Sequence, residues 1–308
     1  MLLVGTTEHL EDLDRQYTIA EDVVVDAIAV AVGTGDRATP TTDPAAGVAF
    51  VLLDGERVAR VAAFDLAPVA RLSGAGGQSM AAGRDCLLVG AAGAHLATLD
   101  PARGEVAPVR AFDRVDGRDG WHNPGRSAPD LRSLAVTATG SWLAAVHVGG
   151  VWRSTDGGAT WDNVVPADAD VHEIVAGADG RVAAAAAGGL GWSDDDGATW
   201  QWTAEGLHGP YARAVALDGD TAFLTASTGP RTTDGRLYRG GLGSPLTPCG
   251  DGLPASFPFN LDSGSLAARG GQVALGTSEG DVYRSGDGGS TFERVTERLP
   301  EIRVVRFA

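Results

Sequence analysis

Val151-Trp152-Arg153-Ser154-Thr155-Asp156-Gly157-Gly158-Ala159-Thr160-Trp161 decides the fold, because the same string returns twice. It recurs as Leu190-Gly191-Trp192-Ser193-Asp194-Asp195-Asp196-Gly197-Ala198-Thr199-Trp200 and as Val282-Tyr283-Arg284-Ser285-Gly286-Asp287-Gly288-Gly289-Ser290-Thr291-Phe292. All three fit S-x-D-x-G-x-T-[WF]. The Asp carboxylate accepts backbone N–H groups across a tight turn, the Gly takes backbone angles other residues avoid, and the aromatic pins the hairpin into its sheet. Repetition at a period of about 40 to 50 residues is the signature of a β-propeller, with four strands in each blade.

The spacing counts the blades. Ser193 follows Ser154 by 39 residues and Ser285 follows Ser193 by 92, so one worn unit falls in the longer gap. Leu237-Tyr238-Arg239-Gly240 fills it, echoing Val282-Tyr283-Arg284-Ser285. Toward the N-terminus, Thr98-Leu99-Asp100 before Gly104, Leu52-Leu53-Asp54-Gly55, and the segment from Leu10 to Asp14 read as three more worn turns. Seven positions predict an all-β, seven-bladed β-propeller spanning residues 1–308 as one domain, with six blades the alternative. Arg303-Val304-Val305-Arg306-Phe307 reads as a lone inner strand, and Leu2-Leu3-Val4-Gly5-Thr6-Thr7 matches the second strand at Ala274-Leu275-Gly276-Thr277-Ser278. The two ends are therefore expected to share a closing blade, which removes the open edges of the ring.

These turns resemble the BNR or Asp-box propeller superfamily, over essentially the whole chain. That superfamily includes sialidases, other glycoside hydrolases and non-catalytic assembly propellers such as photosystem II assembly factors. The resemblance implies that the boxes lie between third and fourth strands, away from the ligand face, so Asp156, Asp195 and Asp287 are expected to be structural. A sialidase would need three arginines, a Tyr/Glu pair and an acid; Arg132, Arg213 and Arg303, with Tyr211 and Glu173, are the residues available. The Arg-Ile-Pro motif of sialidases is absent, so the chain does not read as a typical member.

Composition excludes some classes. The formal charge is −16, every basic side chain other than histidine is Arg, and 44 residues are Gly. Such a chain lacks the clustered cations that hold a nucleic-acid backbone, so no nucleic-acid partner is expected. No apolar run approaches the roughly 18 residues that a membrane helix needs. The start of the chain lacks a basic, apolar leader, and a cytoplasmic protein without membrane contact is the expectation. Cys86 and Cys249 are expected to be free thiols.

Four of the six histidines fall between 122 and 208. Aligned on the turn glycines Gly140, Gly180 and Gly219, the inner strands start at Arg132, His172, Arg213 and Gly264, which become equivalents on consecutive blades. His122, His147, His172 and His208 are then expected to converge on one mouth of the central channel. Neutral imidazoles suit a divalent metal, Zn²⁺, Mn²⁺ or Ca²⁺, on His147, His172 and His208. His172, Glu173, His208 and Tyr211 are the candidate catalytic groups of a hydrolase or lyase. Arg132, Arg213, His122, Thr228, Asn260 and Asp262 are candidate contacts to a small polar ligand. The irregular insertion 113–129 is expected to lie over the channel, carrying Trp121 and His122. A non-catalytic propeller that binds a ligand or a protein partner is the alternative.

Overall fold

The computed structural model describes residues 1–31, 48–62, 65–73, 76–125 and 128–308. They form seven four-stranded antiparallel sheets arranged as the blades of a ring. Blade 1 carries the closure: Ile302–Phe307 is its innermost strand, followed outward by Leu2–Thr6, His9–Asp12 and Tyr17–Glu21. The register pairs Val4 with Val305 and Leu2 with Phe307. Gly5 is required at this seam, since a Cβ there would sit 2.5 Å from Cγ1 of Val25 and 2.7 Å from Cγ1 of Val304.

The other blades run in chain order from inner to outer strand. Blade 2 holds Val25–Ala31, Val48–Leu53, Arg57–Ala62 and Asp65–Arg71; blade 3 holds Gly77–Ala82, Leu87–Ala91, His95–Asp100 and Glu105–Pro108. Blade 4 holds Leu131–Val136, Trp142–Val146, Gly150–Ser154 and Asp162–Val165; blade 5 holds Val171–Ala176, Val182–Ala186, Gly189–Ser193 and Gln201–Thr203. Blade 6 holds Tyr211–Asp218, Thr221–Ser227, Arg236–Gly241 and Thr247–Pro248; blade 7 holds Leu266–Arg269, Gln272–Gly276, Val282–Ser285 and Glu293–Thr296. Second strands are buried on both faces by neighbouring blades, which is why they read as unbroken runs of small apolar residues, as in Val182–Ala186. Among the described residues no helix is long and apolar enough to cross a membrane.

The three repeated turns join third to fourth strands and are built alike. In blade 4 the Ser154 hydroxyl donates to Asp156 Oδ1 at 2.9 Å and accepts the Gly158 N–H at 2.8 Å. Asp156 also accepts the Thr160 N–H at 2.9 Å and the Thr160 hydroxyl at 2.7 Å. These donors hold the Asp156 and Asp195 carboxyls down at about 2.

The Arg near the end of the third strand in blades 4, 6 and 7 has its own task, which is to grip the next blade's turn. Arg153 Nε donates to the Asp196 carbonyl at 2.8 Å, Arg239 Nη1 to the Gly288 carbonyl at 2.7 Å, and Arg284 Nη1 to Asp14 Oδ1 at 2.7 Å across the closure. The worn turns at Leu10 to Asp14 and at Asp100 keep the capping aspartate, with Asp12 accepting from Asp14 N–H and Asp100 from Ala102 N–H. Leu52-Leu53-Asp54-Gly55 proves to join a second to a third strand; the third-to-fourth connection of that blade, 63–64, lies outside the described residues. The blade count is unaffected because each blade supplies one unit of either kind.

Candidate functional site at the channel mouth

Six of the seven inner strands share a defect at their entry, and that of blade 7 pairs without one. The pairing with the second strand skips Asp26 in blade 2, Gln78 in blade 3, Arg132 in blade 4, His172 in blade 5 and the pair Arg213–Ala214 in blade 6. In blade 1 it skips Arg303. A β-bulge leaves its extra residue unpaired and re-aims the side chain. Each of these six bulges carries a polar residue, at the end of the ring opposite the S-x-D turns, where inner strands begin and second strands end. Arg132, His172 and Arg213 are thus equivalent, as their alignment predicts; Asp26 and Gln78 extend the series.

A central cavity of about 380 Å³ opens here. Asp26, Gln78, Arg132, Glu173, Ser263 and Arg303 line it above small apolar inner-strand residues. Beside it, blades 4 and 5 bring together His147, which follows a second strand, and Asp170 and His172 at the next inner strand. His147 Nε2 lies 3.5 Å from Asp170 Oδ1, and His172 Nε2 lies 3.5 Å from Asp170 Oδ2. One potential ligand atom from each of the three lies within 4.8 Å of the others. Asp170 reaches back because its backbone is left-handed, at φ 46° and ψ 65°.

The tautomers are decided by the surroundings. His172 is buried, and its Nδ1–H donates to the Ala212 carbonyl at 2.6 Å, which turns Nε2, without a hydrogen-bond partner, toward Asp170. Asp170 Oδ1 also lacks a hydrogen-bond partner. Burial, with the Arg132 guanidinium second, pulls His147 down to about 4, so this ring is neutral near pH 7. Its contact with His172 holds the Asp170 carboxyl below the usual range against burial. Two imidazole rings and one carboxylate therefore meet at this edge of the mouth.

The remaining predicted residues divide between this cluster and two others. The Tyr211 ring meets His172 edge-on at 4.9 Å, and its hydroxyl lies 3.5 Å from Arg213 Nη2. Arg213 pairs with Asp262. His208 stands apart: Tyr238 Oη lies 2.6 Å from its Nδ1, and its Nε2–H donates to the Asp234 carbonyl at 3.0 Å, so neither nitrogen is free for a metal. Thr228 bonds Asp234, and the Asn260 amide donates to the carbonyls of Gly229 and Pro230, fixing the same loop. His122 is exposed beside the Gly120 carbonyl, while Trp121 is buried against Phe112 and Trp152. None of the insertion's described residues is among those lining the cavity.

Glu173 is engaged in a different way. Its buried carboxylate accepts the Val215 and Gly264 N–H groups, each at 3.1 Å, tying blade 5 to blades 6 and 7. Burial raises its pKa, opposed first by Arg306, whose Nη2 lies 3.5 Å from Oε1. Arg303 pairs with Asp26 at 3.3 Å, so two of the three arginines available for a sialidase arrangement already hold carboxylates. Asp170 was not visible in sequence reading; its position two residues before His172 was the available signal.

No family model and no curated protein matches the chain. Solved structures do, through the fold. A GH74 xyloglucanase from Xanthomonas campestris superposes with TM-score 0.61 at 18% identity, covering 94% of this chain and 46% of the xyloglucanase. The chain thus spans about half the length of that enzyme. The WD40 repeats of RRP9 superpose with TM-score 0.65 at 13% identity, covering 100% and 89% of the two chains. The computationally designed Ika8 protein gives TM-score 0.63 at 12% identity, with 99% and 87% covered. A hydrolase, a WD40 protein and a designed protein share this ring, so only the site can speak to function.

Proposed function

We propose that the channel mouth binds a divalent metal on His147, Asp170 and His172 and acts as a metal-assisted hydrolase on a small polar molecule. The observation that carries this reading is the meeting of three ligand-type groups: His147 Nε2 lies 3.5 Å from Asp170 Oδ1 and His172 Nε2 3.5 Å from Asp170 Oδ2, with one ligand atom of each residue within 4.8 Å of the others. Two donors bound about 2.1 Å from one tetrahedral ion stand about 3.4 Å apart. Three protein ligands leave a fourth position for water, the pattern of catalytic rather than structural zinc. Two imidazoles favour Zn²⁺ or Mn²⁺ over Ca²⁺, which prefers oxygen ligands.

Elemental analysis of the purified protein, with calorimetric titration of Zn²⁺ and Mn²⁺ into the chelator-treated form, tests this. One equivalent should bind to the wild type and to His208→Ala, and binding should be lost in His172→Ala. A wild type that takes up neither metal overturns the reading. Metal uptake without turnover across a panel of small esters, amides and phosphoesters would favour the binding alternative.

A further inference from the structure

Four guanidiniums gather around the mouth. Arg303 pairs with Asp26, Arg306 with Glu173 and Arg213 with Asp262. Among the described residues Arg132 alone of the four has no carboxylate within ion-pair distance; its one hydrogen bond runs from Nη2 to the Ser263 hydroxyl at 3.3 Å. It is half-buried at a bulge and lines the central cavity. A guanidinium has five N–H donors in a planar fork, and most of this fork is uncommitted. Leaving a partly desolvated guanidinium with no carboxylate in direct contact is costly, and the planar fork matches two oxygens of one anion.

We infer that the channel mouth holds the oxyanion of its ligand, a carboxylate or phosphate group, on the Arg132 guanidinium. This rests on reading the mouth as a small-molecule site, but the anion contact does not need the metal. Five carboxylates, those of Asp26, Asp130, Asp170, Glu173 and Asp262, face the four guanidiniums, a difference smaller than the charge of one divalent cation. A bound divalent cation therefore tips the mouth positive within a strongly acidic protein, and focuses anions there. Arg132 would fix one end of the ligand while a polar bond near the His147–Asp170–His172 cluster is presented to the metal.

The test uses chelator-treated full-length protein titrated separately with inorganic phosphate and with acetate, followed by calorimetry and by ¹⁵N NMR of arginine Nε groups. At least one anion should bind saturably and move the Arg132 Nε signal; which one does so identifies the group. Affinity should fall roughly tenfold or more in Arg132→Gln, and stay unchanged in Arg103→Gln, an exposed control. Arg132→Lys keeps the charge and loses the fork, so it should also bind more weakly. Absence of saturable binding, or equal affinity in wild type and Arg132→Gln, overturns the inference. If Arg132→Gln does not fold, the shift of the wild-type Arg132 signal decides. His172→Ala separates the two readings, since it should lose Zn²⁺ uptake and keep anion affinity.

Discussion

His172 Nδ1 lies 2.6 Å from the carbonyl oxygen of Ala212, the residue that opens onto the neighbouring blade's inner-strand bulge. This single bond crosses from blade 5 to blade 6 and selects the His172 tautomer, because a carbonyl can only accept. The free Nε2 then points at Asp170. Long-range ¹H–¹⁵N NMR should find the proton of the neutral His172 ring on Nδ1. The reverse tautomer would remove the ligand atom on which the metal site depends.

His147 gives a pH dependence with a defined sign. Its folded value of about 4 lies below the ordinary 6.5 because burial and Arg132 disfavour the cation. The unfolded chain therefore binds the extra proton first, and His147's contribution to stability is present above pH 6.5 and lost as pH falls toward 4. Urea midpoints should fall across that window in wild type and fall less in His147→Gln. The His147 ring should titrate near 4 by NMR, and higher in Arg132→Gln.

Glu173→Gln separates bracing from catalysis. The carboxylate accepts two backbone N–H groups from different blades, and an amide has one acceptor oxygen, so one buried donor loses its partner. The expected cost is about 1 to 3 kcal/mol of unfolding free energy, read from denaturant curves. Zn²⁺ affinity should be unchanged; a loss of metal binding without a loss of stability would assign Glu173 to the site instead.

The turn carboxylates of Asp156 and Asp195 should titrate at about 2 by carbon-detected NMR. Their pKa values are depressed, so what they contribute is present above the ordinary 3.8 and lost as pH falls through 2. Thr160→Val removes the hydroxyl donor at 2.7 Å and should move Asp156 upward, leaving Asp195 in place. Metal and anion binding at the opposite mouth should not change.

The ring and its seven blades were legible in the sequence because turn chemistry is local, and the joining of its ends because Leu2–Thr6 and Ile302–Phe307 each supply a strand that the other end lacks. Ser154, Asp156, Gly158 and Thr160 contact one another within seven residues, so their spacing alone encodes the turn. Even the equivalence of Arg132, His172 and Arg213 followed from counting back to turn glycines. The reading of Leu52–Gly55 went astray for the same reason: a Leu-Leu-Asp-Gly turn has the same composition whether it follows a second strand or a third.

Which polar residues share a site was decided by tertiary structure. His147 and His208 look alike in sequence, yet one meets Asp170 across a blade boundary and the other is held at both nitrogens by Tyr238 and Asp234. Likewise Glu173 and Asp170 are carboxylates three residues apart, but one meets backbone N–H groups and the other meets two imidazole rings. Repeats fix where each strand starts; the donors and acceptors facing a side chain come from a distant part of its own blade, as Tyr238 does for His208, or from a neighbouring blade, as Ala212 does for His172 and Gly264 for Glu173, and only the folded ring brings them within bonding distance.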